Sequence, residues 1–284
     1  MQAIRRLTAG TLAGGAVGTF FVSLDGFTES KKAKASGGGP HLPTYEWDFN
    51  KFGNALDAAA LRRGWYVYQK VCSTCHSLQY FYFRELIGKS HTEAEVKKIA
   101  KEFECVDDSP DDEGNPVTRA CKPYDNIPKP YANEKAARAA NAGALPPDLS
   151  LICWAREGEE NYLYSLLTGY CDPPAGVTVA DGMNYNAYFA GGAIGMAQPI
   201  YNETVDYKEM GDDTPPYMSQ IAKDIVTFLR YSTDVSKDNR QLALMRILGM
   251  FVPVFFLSVV ATKKVFSPGK TMKVVRSEDL RKFK

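Results

Sequence analysis

The sequence predicts a mainly α-helical domain with long irregular loops, followed by one membrane-spanning helix. Three observations carry that prediction. Apolar residues recur at helical spacing in separate segments within residues 56–231. A long intervening region, 171–216, is rich in Gly, Pro, Asn and Tyr, as loops are. Residues 242–261 are a mostly apolar run of 20, enough to cross a bilayer core of ~30 Å at ~1.5 Å per residue.

Composition bounds the rest. With 284 residues and 45% hydrophobic content, the chain can bury one good-sized core or two small ones. A net charge of +1 hides an uneven distribution. Residues 41–240 hold 29 Asp and Glu against 20 Lys and Arg, about −9 in balance. The base lies at the ends, in Arg5, Arg6, Lys31, Lys32, Lys34 and the eight Lys or Arg beyond residue 262. An acidic middle argues against nucleic acid and for a basic partner.

Residues 7–24 form an uncharged run of 18 after Arg5-Arg6. That is either a targeting or sorting signal or a retained N-terminal span, within a segment taken as 1–30. Residues 31–40 (KKAKASGGGP) read as a flexible linker, so the folded domain should begin near His41. A helix is expected over 56–71, with Leu61, Trp65, Tyr68 and the Val71/Cys72 pair on one face. Residues 78–86 are aromatic-rich through Tyr80, Phe81, Tyr82 and Phe83. A second helix is expected over 93–103, with Val96, Ile99 and Phe103 inward.

Residues 104–130 change character. Glu104, Asp107, Asp108, Asp111, Asp112 and Glu113 form an acidic run between Cys105 and Cys121. It is either a solvated loop or a docking surface for a cationic partner. An Ala-rich helix is expected over 133–141. After it, Pro146-Pro147 excludes a helix interior, and Asp148 is placed to cap the next helix. A helix over 161–170 should stop at Gly169 and Pro173-Pro174. A further amphipathic helix, 218–231, turns Ile221, Ile225, Phe228 and Leu229 inward.

In the apolar run 242–261, Arg246 can snorkel to the interface and Pro253 is tolerated as a kink. Lys263-Lys264 and the basic tail 263–284 put the C-terminus on the negative side of the membrane, with the acidic domain opposite.

The chemistry is concentrated in Val71-Cys72-Ser73-Thr74-Cys75-His76-Ser77. Two cysteines separated by two residues, with His directly after, form the attachment sequence of a c-type haem. Each thiol adds across one porphyrin vinyl group, which leaves His76 beside the iron as the proximal ligand. A zinc half-site would need a second ligand pair, and no second CxxC or HxxxH is present. A redox CxxC should open a helix after a strand and needs no trailing His.

A haem that only carries electrons needs a sixth ligand. His41 borders the linker and His91 lies among Lys and Glu. Among the methionines, Met1 and Met272 lie in the tails, Met245 and Met250 in the apolar run, Met210 in a charged loop, and Met218 at a helix start. Met183 is plausible. Met196 is best placed, since Gly191, Gly192 and Gly195 let the backbone approach a flat ring and Pro199 stiffens the exit. A His/Met haem is six-coordinate and of relatively high potential, which suits electron transfer.

Taken together, these residues resemble the cytochrome c1 family of the ubiquinol–cytochrome c reductases. The resemblance runs from about Tyr45 to the end of the apolar run. It is carried by Arg62-Arg63-Gly64 leading to VCSTCHS, GALPPDLS (143–150), YSLLTGY (164–170), AIGMA (193–197) with Pro199-Ile200-Tyr201, and MSQIAKD (218–224) with FLR (228–230). It implies a cytochrome-c-like haem domain (41–240) facing the intermembrane space, an anchor (241–262) in the mitochondrial inner membrane, and a matrix-side tail.

The resemblance further implies one covalent haem c, held through Cys72 and Cys75, with His76 and Met196 as iron ligands. Arg156 and Tyr162 would face the propionates, and Pro147 would pack near His76. Electrons would come from the Rieske iron–sulfur protein and pass to soluble cytochrome c. Cytochrome b and other complex III subunits would surround the chain in a dimeric complex. No catalytic side chain is called for; the chain belongs to an enzyme as a subunit.

Departures from the family pattern are Glu157 after Arg156 in place of His, Ala190-Gly191-Gly192 in place of Pro-Gly-Gln, and Glu46 in place of Pro. Cys105 and Cys121 are expected to close the acidic loop with a disulfide worth ~3 kcal/mol in the chain-entropy model. Cys153–Cys171 is a weaker candidate. The rivals are another membrane-anchored c-type cytochrome, serving an oxidase or a bacterial chain, and a haem enzyme with an open iron site.

Overall fold

A computed structural model of the chain describes residues 40–272, except 108 and 110–112. The segment 1–30, most of the linker, and Asp108, Asp111, Asp112 and most of the basic tail lie outside the described residues. Among the described residues the fold is mainly helical, with two small antiparallel ribbons.

Helix α1 is Ala58–Lys70, opened by Asp57, whose side chain accepts from the Ala59 amide. Leu61, Trp65 and Tyr68 are buried as the spacing predicts. Helix α2, Glu93–Lys101, is opened by a capping box between Thr92 and Glu95 and turns Val96 inward. Residues 104–130 carry a short ribbon that the sequence does not predict, closed by the disulfide that it does. Strands β1 (Glu104–Val106) and β2 (Thr118–Ala120) pair antiparallel, and a Cys105–Cys121 disulfide ties them with a Cα separation of 5.1 Å.

Helix α3 is Glu134–Ala140, capped by the Asn133 side chain. Helix α4 is the single turn Ile152–Ala155, and α5 is Glu159–Thr168. Asp148 does not cap α4; Leu151 holds that position, and the Asp148 carboxylate is engaged elsewhere. Within the long loop region, β3 (Asn184–Tyr185) and β4 (Ala193–Ile194) form the second ribbon. Its turn needs Gly192, which sits at φ +77 and whose Cβ would lie 2.7 Å from the Tyr185 ring.

Helix α6, Met218–Thr233, buries Ile221, Ile225, Phe228 and Leu229. It packs along α1 so closely that a Cβ on Gly64 would collide with the Asp224 carbonyl oxygen and lie 2.6 Å from the Phe228 Cβ. Asp224, fully buried, seals this contact. Its carboxylate accepts from Arg63 Nε (2.9 Å) and Nη2 (3.1 Å), from the Tyr207 hydroxyl (3.0 Å) and from Gln220 (3.0 Å). Arg63 also reaches Asp212 at 2.8 Å. Aromatic rings fill the space around the pair, with Phe228 edge-on to Trp65 at 5.7 Å and to Phe81 at 5.6 Å.

Helix α7 runs Lys237–Thr271, longer at both ends than the apolar run alone. Its most apolar window has a mean hydropathy of 2.2 and none of it is buried, so by length and composition it can cross a membrane. Its first turn is fastened to the domain. Lys237 donates to the Phe49 carbonyl, and Asp238 accepts from Leu56 and pairs with Lys89.

Candidate haem site

Helix α1 delivers the cysteine pair. The chain leaves it into a short 3-10 turn at Cys72–Thr74, and the Cys75 and His76 amides both return to the Cys72 carbonyl. This turn spaces the thiols and presents His76 just beyond. Cys72 and Cys75 are both half-buried and not bonded to each other. Burial, with a contribution from the neighbouring Cys75, pushes the Cys72 thiol up to about 12. A protonated, sheltered thiol is unlike the low-pKa thiolate of a thiol–disulfide redox centre.

His76 is oriented from both sides of its ring and backbone. Its Nδ1 lies 2.8 Å from the Pro147 carbonyl oxygen, and its own carbonyl accepts from the Tyr68 hydroxyl at 3.2 Å. A carbonyl can only accept, so Nδ1 carries the proton and Nε2 keeps a free lone pair. Burial lowers the imidazole pKa, opposed by the Pro147 hydrogen bond and the Asp148 charge. The neutral ring this favours is the metal-binding form.

The loop 143–150 that supplies Pro147 is itself clamped to the segment after His76. Asp148 accepts from the Ser77 hydroxyl (2.7 Å) and the Gln79 amide (2.9 Å), and from the Ser150 amide (2.9 Å). The Leu149 amide donates to the Ser77 carbonyl at 2.9 Å. Sequence reasoning gave Asp148 a capping role and missed this clamp; the only signal was its place directly after Pro147.

Met196 lies two residues beyond the end of β4, after Gly195. Its carbonyl accepts from the Tyr170 hydroxyl at 3.1 Å. The ribbon is pinned beneath it by Asn186, fully buried, which donates to the Leu166 carbonyl at 2.7 Å. A Cβ on Gly195 would lie 3.1 Å from the Ala144 Cβ and 3.8 Å from the Met183 sulfur. The Met196 segment therefore abuts the same loop that holds His76, and Met183 sits beside it.

Arg156 is exposed, and no carboxylate among the described residues pairs with its guanidinium; it donates only to the Ala155 carbonyl, at 3.3 Å. It acts electrostatically on Tyr162, whose hydroxyl pKa is raised by burial and eased down by that charge. Leu145, Leu151, Trp154 and Met183 remain well exposed despite being apolar.

A model of the Cytochrome C1 family matches residues 47–269. The chain belongs to the cytochrome c1 family. It is 45% identical over 278 residues to a Saccharomyces cerevisiae protein named cytochrome c1, heme protein, mitochondrial, across 94% of this chain and 88% of that one. It is 47% identical over 236 residues to the Candida albicans cytochrome b-c1 complex catalytic subunit, mitochondrial, across 83% and 81%. An Arabidopsis thaliana cytochrome c1 is 40% identical over 273 residues, across 96% and 86%.

For a cytochrome c1 family member, the donor set fits a covalently held haem. It comprises an open thiol pair, an imidazole with one nitrogen already engaged, thioethers on the facing loop, an unpaired guanidinium and an apolar rim. The remaining cysteines divide. Cys105 and Cys121 are bonded as expected, whereas Cys153 is a buried free thiol and Cys171 an exposed one, so the weaker pairing is not formed. The acidic run is less bare than its sequence suggests, because Arg119 pairs with Asp107 at 3.0 Å and with Asp125 at 2.6 Å.

Proposed function

We propose that this chain is the electron-carrying haem subunit of a ubiquinol–cytochrome c reductase. One observation carries the reading. In a chain of the cytochrome c1 family, His76 follows an open Cys72/Cys75 pair with its Nδ1 already held by Pro147 and its Nε2 free. Cys72 and Cys75 bind the haem through thioethers, and His76 and Met196 ligate its iron. Arg156 and Tyr162 meet the propionates, where a guanidinium gives charge-assisted hydrogen bonds. The bound haem supplies one-electron chemistry at a relatively high potential.

The chain's own work is to hold and orient. Helix α1 fixes the thiols, Pro147 fixes the His76 ring, and the β3–β4 ribbon presents Met196. No general base or nucleophile is required. The names of the relatives, heme protein and cytochrome b-c1 complex catalytic subunit, both mitochondrial, support this assignment.

The partners are cytochrome b, the Rieske iron–sulfur protein as electron donor, soluble cytochrome c as acceptor, and the other complex III subunits, in a dimeric complex. The acidic domain (41–240) faces the intermembrane space, the anchor (241–262) crosses the mitochondrial inner membrane, and the basic tail (263–284) lies in the matrix. Residues 1–30 serve targeting or span the membrane beforehand, and 31–40 link. The Cys105–Cys121 disulfide suits the oxidising side.

The test is a dithionite-reduced difference spectrum of the tagged chain, gently solubilised from its own membranes. Co-purified c-type and b-type bands in fixed ratio are expected. A c-type band alone would favour a lone anchored cytochrome, and ready carbon monoxide binding would favour an open iron site.

A further inference from the structure

We propose that Asp148 is the positioning residue of the proximal side: its carboxylate locks the Pro147 carbonyl against the His76 ring and places a fixed negative charge behind that ligand. The inference rests on the haem reading above and deepens it.

The geometry is a two-sided clamp. Ser77 adjoins His76 in the chain and Asp148 adjoins Pro147. The Asp148–Ser77 bond (2.7 Å) therefore lies one residue away, on both segments, from the His76–Pro147 bond (2.8 Å). The same carboxylate oxygen also accepts from the Gln79 amide at 2.9 Å, and the other accepts from Ser150 at 2.9 Å. Three donors on both oxygens leave the carboxylate one orientation. Ser150 extends the seam, its hydroxyl accepting from the Tyr80 amide at 3.0 Å. Without the carboxylate, the described bonds joining the two segments would be the Leu149–Ser77 backbone bond of 2.9 Å, the imidazole itself and, farther from His76, the Tyr80–Ser150 bond.

Two consequences follow for a metal-bound imidazole. A fixed acceptor on Nδ1–H fixes the ring's tautomer and orientation and makes Nε2 a stronger donor. A negative charge behind the ligand stabilises the more positive, oxidised iron. Both push the midpoint potential down, so releasing either pushes it up.

The experiment uses the full chain in its membrane complex, comparing Asp148→Asn, Asp148→Ala and Ser77→Ala with the parent. The readouts are haem content by pyridine haemochrome, midpoint potential by redox titration, and ligand-field signature by low-temperature electron paramagnetic resonance. Asp148→Asn keeps size and one acceptor oxygen but loses the charge; it should retain full haem content and shift the potential upward. Asp148→Ala should shift it further and broaden the resonance as the ring loses its fixed orientation. Ser77→Ala keeps the charge and the Gln79 bond but loses one clamp bond, and should raise the potential by less than Asp148→Asn does.

An unchanged potential in haem-replete Asp148→Asn overturns the proposal. So does loss of haem from that variant, because attachment through Cys72 and Cys75 should not depend on the charge. A Ser77→Ala shift as large as that of Asp148→Asn overturns it as well. Absence of any haemochrome from the parent chain would instead overturn the haem reading itself.

Discussion

The two flanks of the haem site are built on different principles. The His76 side grows out of the buried framework. Helix α1 is locked to α6 through Gly64 and the Arg63–Asp224 pair, and the imidazole, its neighbouring backbone and the facing loop are all tied by hydrogen bonds. The Met196 side hangs from a two-residue ribbon, fastened at its backbone by Tyr170 and Asn186, with no described hydrogen bond to the thioether. One flank is fixed by packing and the other is draped on it. Damage to the framework should therefore cost both flanks, whereas damage to the ribbon should cost only its own ligand.

The largest expected effect is at Asp224. Replacing it with Ala removes two of the three carboxylate hydrogen bonds of Arg63, whose side chain is 10% exposed, and the acceptor of the buried Tyr207 hydroxyl. Breaking a buried pair by deleting one partner typically destabilises by ~3–5 kcal/mol. Asp212 still pairs with Arg63, which favours the lower end. Thermal denaturation of the haem-loaded protein should show that loss, together with a disturbed spectrum from both proposed ligands. A variant of normal stability would mean that the α1–α6 lock is dispensable.

Met196 is the next test, and it separates the flanks. Met196→Leu preserves volume, so its stability should change by less than ~1.5 kcal/mol. The potential should fall and the reduced protein should bind carbon monoxide. Met183→Leu is the control, since its sulfur lies beside Gly195 on the same shoulder. An unchanged spectrum in Met196→Leu with a changed one in Met183→Leu would reassign the sixth ligand.

The same division explains what the sequence made legible. Helix α1 and helix α6 could be read because burial on one face imposes its period on Leu61, Trp65 and Tyr68 and on Ile221, Ile225 and Phe228. Cys72, Cys75 and His76 stood out because the covalent attachment proposed for them would dictate their spacing. Gly191, Gly192, Gly195 and Pro199 around Met196 favour it over Met183, and the ribbon, two residues long and without a period to read, brings the Met183 sulfur beside Gly195 as well. Asp148 was misjudged because local cap rules describe bonds within one segment, while its carboxylate joins residues 71 apart. Arg63, Gly64 and Asp224 stood out only as shared motif letters, and the structure assigns them to the framework rather than to the haem.

A pH effect should come from outside both flanks. Burial, with the Arg62 charge, lowers the His91 pKa to about 4, against the opposing charge of Glu95. The unfolded chain protonates near its ordinary value of 6.5, well before the folded one does. The unfolded state thus binds the extra proton in that window, and the stability His91 contributes above 6.5 is lost as pH falls toward about 4. Glu95 and Asp212, both held near 2, add their own loss only at lower pH. Denaturant titrations should show His91→Asn with a flatter stability profile between 6.5 and 4 than the parent. Parallel profiles would place the acid sensitivity in another group.

The smallest effect should come from the cap of α2, because it touches the framework at one point only. Thr92 Oγ1 accepts from the Glu95 amide at 3.4 Å, a long bond, while Glu95 returns to the Thr92 amide at 2.8 Å and reaches Arg62 of α1 at 2.7 Å. Thr92→Ala removes the long bond and the 2.9 Å bond its hydroxyl donates to the Glu95 carboxylate, and leaves the other two. The loss should be ~0.5–1 kcal/mol, the low end for an N-cap. Neither the spectrum nor the potential should move, because Arg62 stays paired and α1 stays on α6. If calorimetry finds that small loss and the potential nevertheless shifts, strain at α2 travels along α1 to the thiols. The His76 flank would then be less isolated from the surface than its packing implies.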